Sequence, residues 1–125
     1  MIALITGASS GIGRDMARYL DSKKIDLILV ARDEENLLKL KQELSVKVEV
    51  LTLDLTVKEN VYELYEKVKN ENIDILINNA GFGLFGEFSQ TNLDRELEMI
   101  NLNVIAYHIL TKLFLQDFIK KDRGY

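Results

Sequence analysis

The sequence predicts an α/β fold: a parallel sheet with helices on both faces. Three observations carry this. Near-continuous apolar runs of strand length occur at residues 1–5, 25–31 and 73–77, as strands buried on both faces require. Segments with apolar residues at helical spacing lie between the strands. Finally, Thr6-Gly7-Ala8-Ser9-Ser10-Gly11-Ile12-Gly13 joins the first run to the first helical segment. A glycine-rich strand-to-helix turn lets the backbone approach a pyrophosphate, which the free N–H groups of the helix then meet.

The elements follow in order. Residues 1–5 form the first strand, and Met16, Ala17 and Leu20 continue an apolar helical face after the turn. Residues 25–31 form the second strand. Asp33 is placed to cap the next helix, with Glu34 and Glu35 in its positively polarised first turn and Leu37, Leu40 and Leu44 facing inward. Residues 46–53, with Val48 and Val50 alternating, read as the third strand. Residues 57–70 are amphipathic, with Val57, Val61, Leu64 and Val68 at helical spacing. The fourth strand, 73–77, runs into Asn78-Asn79-Ala80-Gly81.

Residues 81–88 make a flexible aromatic loop expected to rim a cleft. Its Phe82, Phe85 and Phe88 are candidates for core or for substrate contact in equal measure. Residues 92–121 read as helical in two segments. In the later part, 104–119, Val104, Tyr107, Leu110, Phe114 and Phe118 line one side and Ile105, Ile109 and Leu113 another. So wide an apolar surface calls for a partner beyond one sheet face.

Alternating strands and helices with right-handed crossovers give the strand order 3-2-1-4 and put the switch point between strands 1 and 4. The glycine turn and Asn78–Gly81 both end strands that flank it, where open α/β sheets bind ligands. A chain of 125 residues is one domain by length. A net charge of −4 with acids and bases interspersed argues against nucleic acid and anionic membrane as partners. There is no cysteine, hence no disulfide or thiolate site, in keeping with a reducing compartment. Residues 1–5 are far too short to span a bilayer, and the first residues lack the basic n-region and cleavage-site pattern of a signal peptide. The expected location is cytoplasmic. His108, the only histidine, reads as a helix-surface or interface residue, and no metal site is expected.

Four of these features together resemble the short-chain dehydrogenase/reductase family: Thr6–Gly13, Asp54-Leu55, Asn78-Asn79-Ala80-Gly81 and Asn103 occur in its order and spacing. The resemblance spans residues 1–125 and implies a Rossmann fold binding NAD or NADP for alcohol oxidation or carbonyl reduction. It implies that Gly7, Gly11 and Gly13 are the phosphate-turn glycines, with Ser9, Ser10 and Ile12 against the phosphates or ribose. Asp54 is implied to meet the adenine amino group, with Leu55 against the ring. Asn79, Ala80 and Gly81 are implied to pass beside the adenosine ribose and the nicotinamide side. Asn103 is implied to interrupt the long helix and support a proton relay, with Ala106 as the small residue three positions on. Its neighbour Asn101 is the weaker candidate.

Cofactor choice is partly readable from the residues. The second strand ends at Ala31-Arg32 without the acid that accepts from a ribose 2′-hydroxyl in NAD-preferring domains. Arginine pairs bidentately with a 2′-phosphate, so NADP is expected over NAD.

The family's catalytic serine and Tyr-x-x-x-Lys pair have no counterpart between Asn103 and Tyr125. Residues 122–125 resemble the turn into the strand that carries the serine. Tyr62 and Tyr65 belong to the third helix, expected on the wrong side of the sheet for this chemistry. The expectation is therefore a single NAD(P)-binding domain over 1–125, the cofactor-binding half of a reductase lacking its catalytic half. It is expected to be inactive alone, to act with a small alcohol or carbonyl substrate, and to form a homo-oligomer through helix 104–119. A non-catalytic dinucleotide-binding or regulatory module is the alternative. Simpler roles stand beside these: helix–strand packing for the glycines, a surface ion pair with Asp33 or Glu35 for Arg32, capping of the helix after Thr56 for Asp54, and strand-end hydrogen bonding for Asn78 and Asn79.

Overall fold

The computed structural model describes residues 1–125. Four parallel strands, β1 (Ile2–Thr6), β2 (Asp26–Ala31), β3 (Val48–Thr52) and β4 (Ile75–Ile77), form one sheet in the order β3-β2-β1-β4. This is the predicted order. Helices α1 (Gly11–Ser22), α2 (Glu34–Glu43) and α3 (Lys58–Val68) connect them, and α4 (Leu93–Ile100) follows a long loop. A π-helical segment (Asn101–Ala106) then leads without a break into α5 (Tyr107–Lys120).

The period-2 alternation of the inner strands sorts their side chains into two cores. On one face, Ala3 and Ile5 of β1 with Leu27 and Leu29 of β2 meet Ala17 and Leu20 of α1 and Leu37 and Leu40 of α2. On the other, Leu4, Ile28 and Val30 meet Val61, Leu64 and Val68 of α3 and Leu102, Ala106, Leu110 and Phe114 of the long helix. Because both faces are covered, every residue from Ala3 to Thr6 is buried. That is why the strands read as unbroken apolar runs.

Some face assignments shift by one position. Met16 is exposed beside the buried Ala17, and Leu44 lies just past the end of α2, half-buried. Val57 precedes α3 and is exposed. Val104, expected beside Tyr107 and Leu110, is instead 58% exposed. The wider π turn alters the phase, so Leu102, Ala106, Leu110 and Phe114, each four apart, face the sheet. The third helix also corrects an expectation: α3 packs on the same face of the sheet as the helix bearing Asn103. The Tyr65 hydroxyl there donates to Asp117 Oδ2 at 2.9 Å, near the C-terminal end of α5.

The free edge of β4 is met by residues that follow α5. Leu76 N donates to Tyr125 O and Tyr125 N to Asp74 O, both at 2.9 Å. Buried Asp74 anchors this corner, its carboxylate accepting from Ile2 N at 3.0 Å and from Arg123 Nη2 at 2.5 Å, with Lys121 beside it. No helix is long and apolar enough to cross a membrane.

Candidate functional site

A cleft of about 660 Å³ opens at the C-terminal ends of the strands, a size suited to a small-molecule ligand. The glycine turn contributes Gly7, Ser9, Ser10, Gly11 and Ile12 to its wall. The end of β2 contributes Val30, Ala31, Arg32 and Asp33, and the segment after β3 contributes Leu53, Asp54 and Leu55. Asn79, Ala80 and Gly81 after β4 complete it, with Leu102 behind. Every residue expected to hold a cofactor lines this one cleft except Gly13, and Asn103 stands just outside it.

The glycine turn owes its shape to close packing. Gly7 has φ +66°, and a Cβ there would sit 2.8 Å from Ala80 Cα. A Cβ on buried Gly13 would sit 2.3 Å from Gly7 O, so Gly13 serves helix-on-strand packing beneath the turn. Gly11 differs: a Cβ there would meet nothing within 4 Å, which leaves an open cradle at the N-terminus of α1. The N-cap, Ser10, makes no side-chain capping bond, and the first-turn N–H groups have no intrahelical partner. An open cradle bordered by unclaimed N–H donors fits a phosphate group.

Thr6, not singled out from the sequence, ties the turn to the opposite wall. Its Oγ1 accepts from Asn79 N and Ala80 N, each at 3.0 Å. Asn79 Nδ2 in turn donates to Thr6 O at 3.2 Å and Gly7 O at 3.1 Å. The Asn79 side chain is thereby committed to scaffolding, and its neighbours present backbone to the cleft. Asn78 Nδ2 donates to Thr111 Oγ1 at 3.0 Å, while its Oδ1 is buried without a partner. The motif carries its own positive signal for these bonds, since asparagines at strand ends satisfy loose backbone groups.

Asp54 has two occupations. Its Oδ1 accepts from Thr56 N at 3.0 Å and Thr56 Oγ1 at 2.7 Å. This local turn leads into α3, whose N-cap, Val57, has no capping side chain. Oδ2 makes no hydrogen bond within the chain and belongs to a residue on the cleft wall. Leu55 beside it is buried.

At the far end of the cleft wall, Asp33 Oδ1 accepts from Asn36 N at 3.0 Å and its Oδ2 from Asn36 Nδ2 at 2.6 Å. Both oxygens are thus drawn into the cap of α2. Arg32 forms no ion pair and is exposed on the same wall.

Asn103 clasps the loop after β4. Its Oδ1 accepts from Phe82 N at 3.1 Å and its Nδ2 donates to Phe82 O at 2.8 Å. It lies inside the π-helical segment, a kind of irregularity frequent at functional sites. The clasp leaves little room above Gly81, where a Cβ would be 3.0 Å from Asn103 Oδ1. Arg95 of α4 stacks over the Phe82 ring at 4.6 Å. Phe82 therefore packs inward, whereas Phe85 and Phe88 are 97% and 88% exposed. Of the expected aromatic rim, only Gly81 reaches the cleft. Tyr107 stands half-buried behind Gly81, and burial pushes its phenol up. His108 is exposed, and no group of acidic or histidine side chains is arranged to hold a metal.

Residues 1–125, the whole chain, match the family described as short chain dehydrogenase. An uncharacterized oxidoreductase of Staphylococcus epidermidis is 31% identical over 99% of this chain and 55% of its own length. A short-chain dehydrogenase from Sphingobium yanoikuyae, solved in complex with NADPH, superposes with a TM-score of 0.91 at 36% identity. That likeness covers 98% of this chain and 50% of the other. A bulky-bulky ketone specific alcohol dehydrogenase from Comamonas testosteroni gives 0.90 at 34% identity, over 98% and 51% of the two chains. The chain spans about half the length of the curated relatives it matches.

Proposed function

The chain belongs to the short-chain dehydrogenase family, and from that premise we propose that it is the cofactor-binding part of an NADP-dependent oxidoreductase acting on a small alcohol or carbonyl compound. The observation that carries the choice of cofactor is Arg32, an unpaired guanidinium on the cleft wall at the end of β2. The neighbouring carboxylate, Asp33, is turned into the α2 cap. A 2′-phosphate there gains a bidentate cation.

The remaining residues then take roles along one axis of the cleft. Ser9, Ser10, Gly11 and Ile12 border the pyrophosphate, which sits on the N–H groups of α1. The unengaged Oδ2 of Asp54 accepts from the adenine amino group, and Leu55 covers the ring. Ala80 and Gly81 present backbone toward the nicotinamide side, held in place by the Thr6–Asn79 bonds and the Asn103 clasp on Phe82. The cofactor, when bound, supplies the hydride that is exchanged with the substrate carbon. Asn103 positions the segment beside that reaction and does so from outside the cleft. Turnover is a property proposed for the whole protein, since relatives are about twice as long.

The deciding experiment is isothermal titration of the purified protein with NADPH and NADH. NADPH is expected to bind more tightly by about tenfold or more, the worth of a charge-assisted phosphate contact. Arg32→Gln is expected to reduce the difference sharply while leaving NADH binding intact. Absence of NADPH binding by folded protein, or equal affinities for the two, would overturn the proposal.

A further inference from the structure

Phe82 is the last residue after β4 that the fold grips before the aromatic loop. Asn103 takes both of its backbone groups, accepting from its N–H at 3.1 Å and donating to its carbonyl at 2.8 Å. The ring packs half-buried against the core shared by α3 and the long helix. From Gly83 to Gly86 the chain then makes no backbone hydrogen bond, and Phe85 stands in solvent.

One further contact holds the Phe82 ring. Arg95, in the first turn of α4, sets its guanidinium over the ring at 4.6 Å from the centroid, within the range of a cation–π attraction. The molecule has two other such contacts, Lys23 over Tyr19 and Lys121 over Phe118, both at 5.3 Å. Arg95 is the closest of the three, and only its ring belongs to a residue that adjoins the cleft wall. Arg95 is itself held from two sides. Its backbone N–H donates to the α4 cap, Asn92 Oδ1, at 3.0 Å, and its guanidinium pairs with Glu98 one turn on.

The stacking completes what the Asn103 clasp leaves open. Two bonds from one side-chain amide fix where the Phe82 backbone lies, but they leave a pivot about the line that joins them. A ring pressed between the core and a guanidinium cannot turn about that line. Gly81 is one planar peptide away and lines the cleft, so any swing of Phe82 carries Gly81 with it. The clearance there is small: a Cβ on Gly81 would lie 3.0 Å from Asn103 Oδ1.

We propose that Arg95 is a positioning residue for the nicotinamide end of the cofactor, acting through the Phe82 ring to fix Gly81 on the cleft wall. This rests on the cofactor reading above and adds to it a residue that lies outside the cleft. The adenosine half of the cofactor, bound by the glycine turn and the ends of β2 and β3, is independent of Arg95.

The test separates the two halves. The 125-residue protein, Arg95→Gln, Arg95→Lys and Glu98→Gln are titrated calorimetrically with NADPH and with 2′,5′-ADP, which lacks the nicotinamide half. Arg95→Gln is expected to weaken NADPH by about three- to fivefold, the worth of a partly exposed cation–π contact, and to leave 2′,5′-ADP unchanged. Arg95→Lys keeps a cation over the ring and is expected to recover part of the loss. Glu98→Gln removes the ion pair and leaves the stacking, so both ligands should bind as before. Phe82→Leu is expected to weaken NADPH alone, and adding it to Arg95→Gln should bring little further loss, because both remove one contact. Equal weakening of both ligands by Arg95→Gln, as unfolding or a general loss of positive charge would give, overturns the role of Arg95. So does no change in either ligand, or a Glu98→Gln protein that loses NADPH as Arg95→Gln does. If the unsubstituted protein binds 2′,5′-ADP as tightly as NADPH, the nicotinamide half gains nothing from the wall and Arg95 has no role, while the NADP reading stands. If it binds neither, the cofactor reading itself fails.

Discussion

Gly13 and Gly11 differ by two positions and by their whole physical role. A methyl group on Gly13 would meet Gly7 O at 2.3 Å and Asn79 Nδ2 at 2.5 Å. Neither neighbour can retreat easily, because Asn79 Nδ2 already donates to Thr6 O and Gly7 O. Gly13→Ala is therefore expected to lose about 1–3 kcal/mol of stability as an overpacked contact. Urea unfolding reads this directly, and an unchanged midpoint would show that the turn relaxes freely. Glycine spacing in the sequence announces a phosphate turn but does not say which glycine serves packing and which leaves space. That distinction depends on Asn79, a residue more than sixty positions away, and only the folded chain brings the two together.

Among the elements, the strands were the most legible, since burial on both faces leaves runs such as residues 3–6 with no polar interruption apart from Thr6. The π-helical segment was not. It breaks the 3.6-residue period on which helical faces are read, so the spacing sets Val104 beside Leu110 and Phe114, whereas Val104 is exposed and the other two are buried. The corner between β1, β4 and the turn after α5 was also hidden, because Asp74 sits inside an otherwise apolar strand signal. Burial pushes the Asp74 carboxyl up, but the Ile2 N–H and the Arg123 and Lys121 cations outweigh it and hold it below the usual carboxylate range. A carboxyl depressed in the folded state stabilises fully above its unfolded value of about 4 and loses that contribution as pH falls through the folded value. Asp74→Asn is thus expected to cost about 1–2 kcal/mol at neutral pH, limited by the solvent around Arg123. The difference should shrink as pH falls below about 4. Asp21, held down chiefly by the Val46 N–H, titrates in both proteins and cancels from the comparison. Parallel stability–pH curves for the two proteins would show that Asp74 does not anchor this corner.

Taken whole, the molecule covers both faces of its sheet yet leaves one side of its longest helical run bare. Leu93, Leu97, Ile100 and Val104 follow one another at steps of four, three and four residues and are 64%, 48%, 45% and 58% exposed. Leu115 and Ile119 extend apolar exposure along α5. One apolar side chain on a surface is ordinary, but a stripe along several turns marks an interface. The breadth of the apolar surface on residues 104–119 was readable from the sequence; which part of it the sheet leaves uncovered was not, because the π turn decides that. We propose that this stripe pairs with its counterpart on a second copy, an antiparallel or parallel helix contact of the isologous kind. The 125-residue polypeptide is then expected to sediment as a dimer or larger species whose apparent mass rises with concentration. Leu97→Glu combined with Val104→Glu places charges in the middle of the stripe without touching either buried core, so it should shift the protein to monomer and leave its unfolding midpoint at low concentration nearly unchanged. A clean monomer before substitution would remove the proposal. Association that survives both glutamates would place the interface away from this stripe.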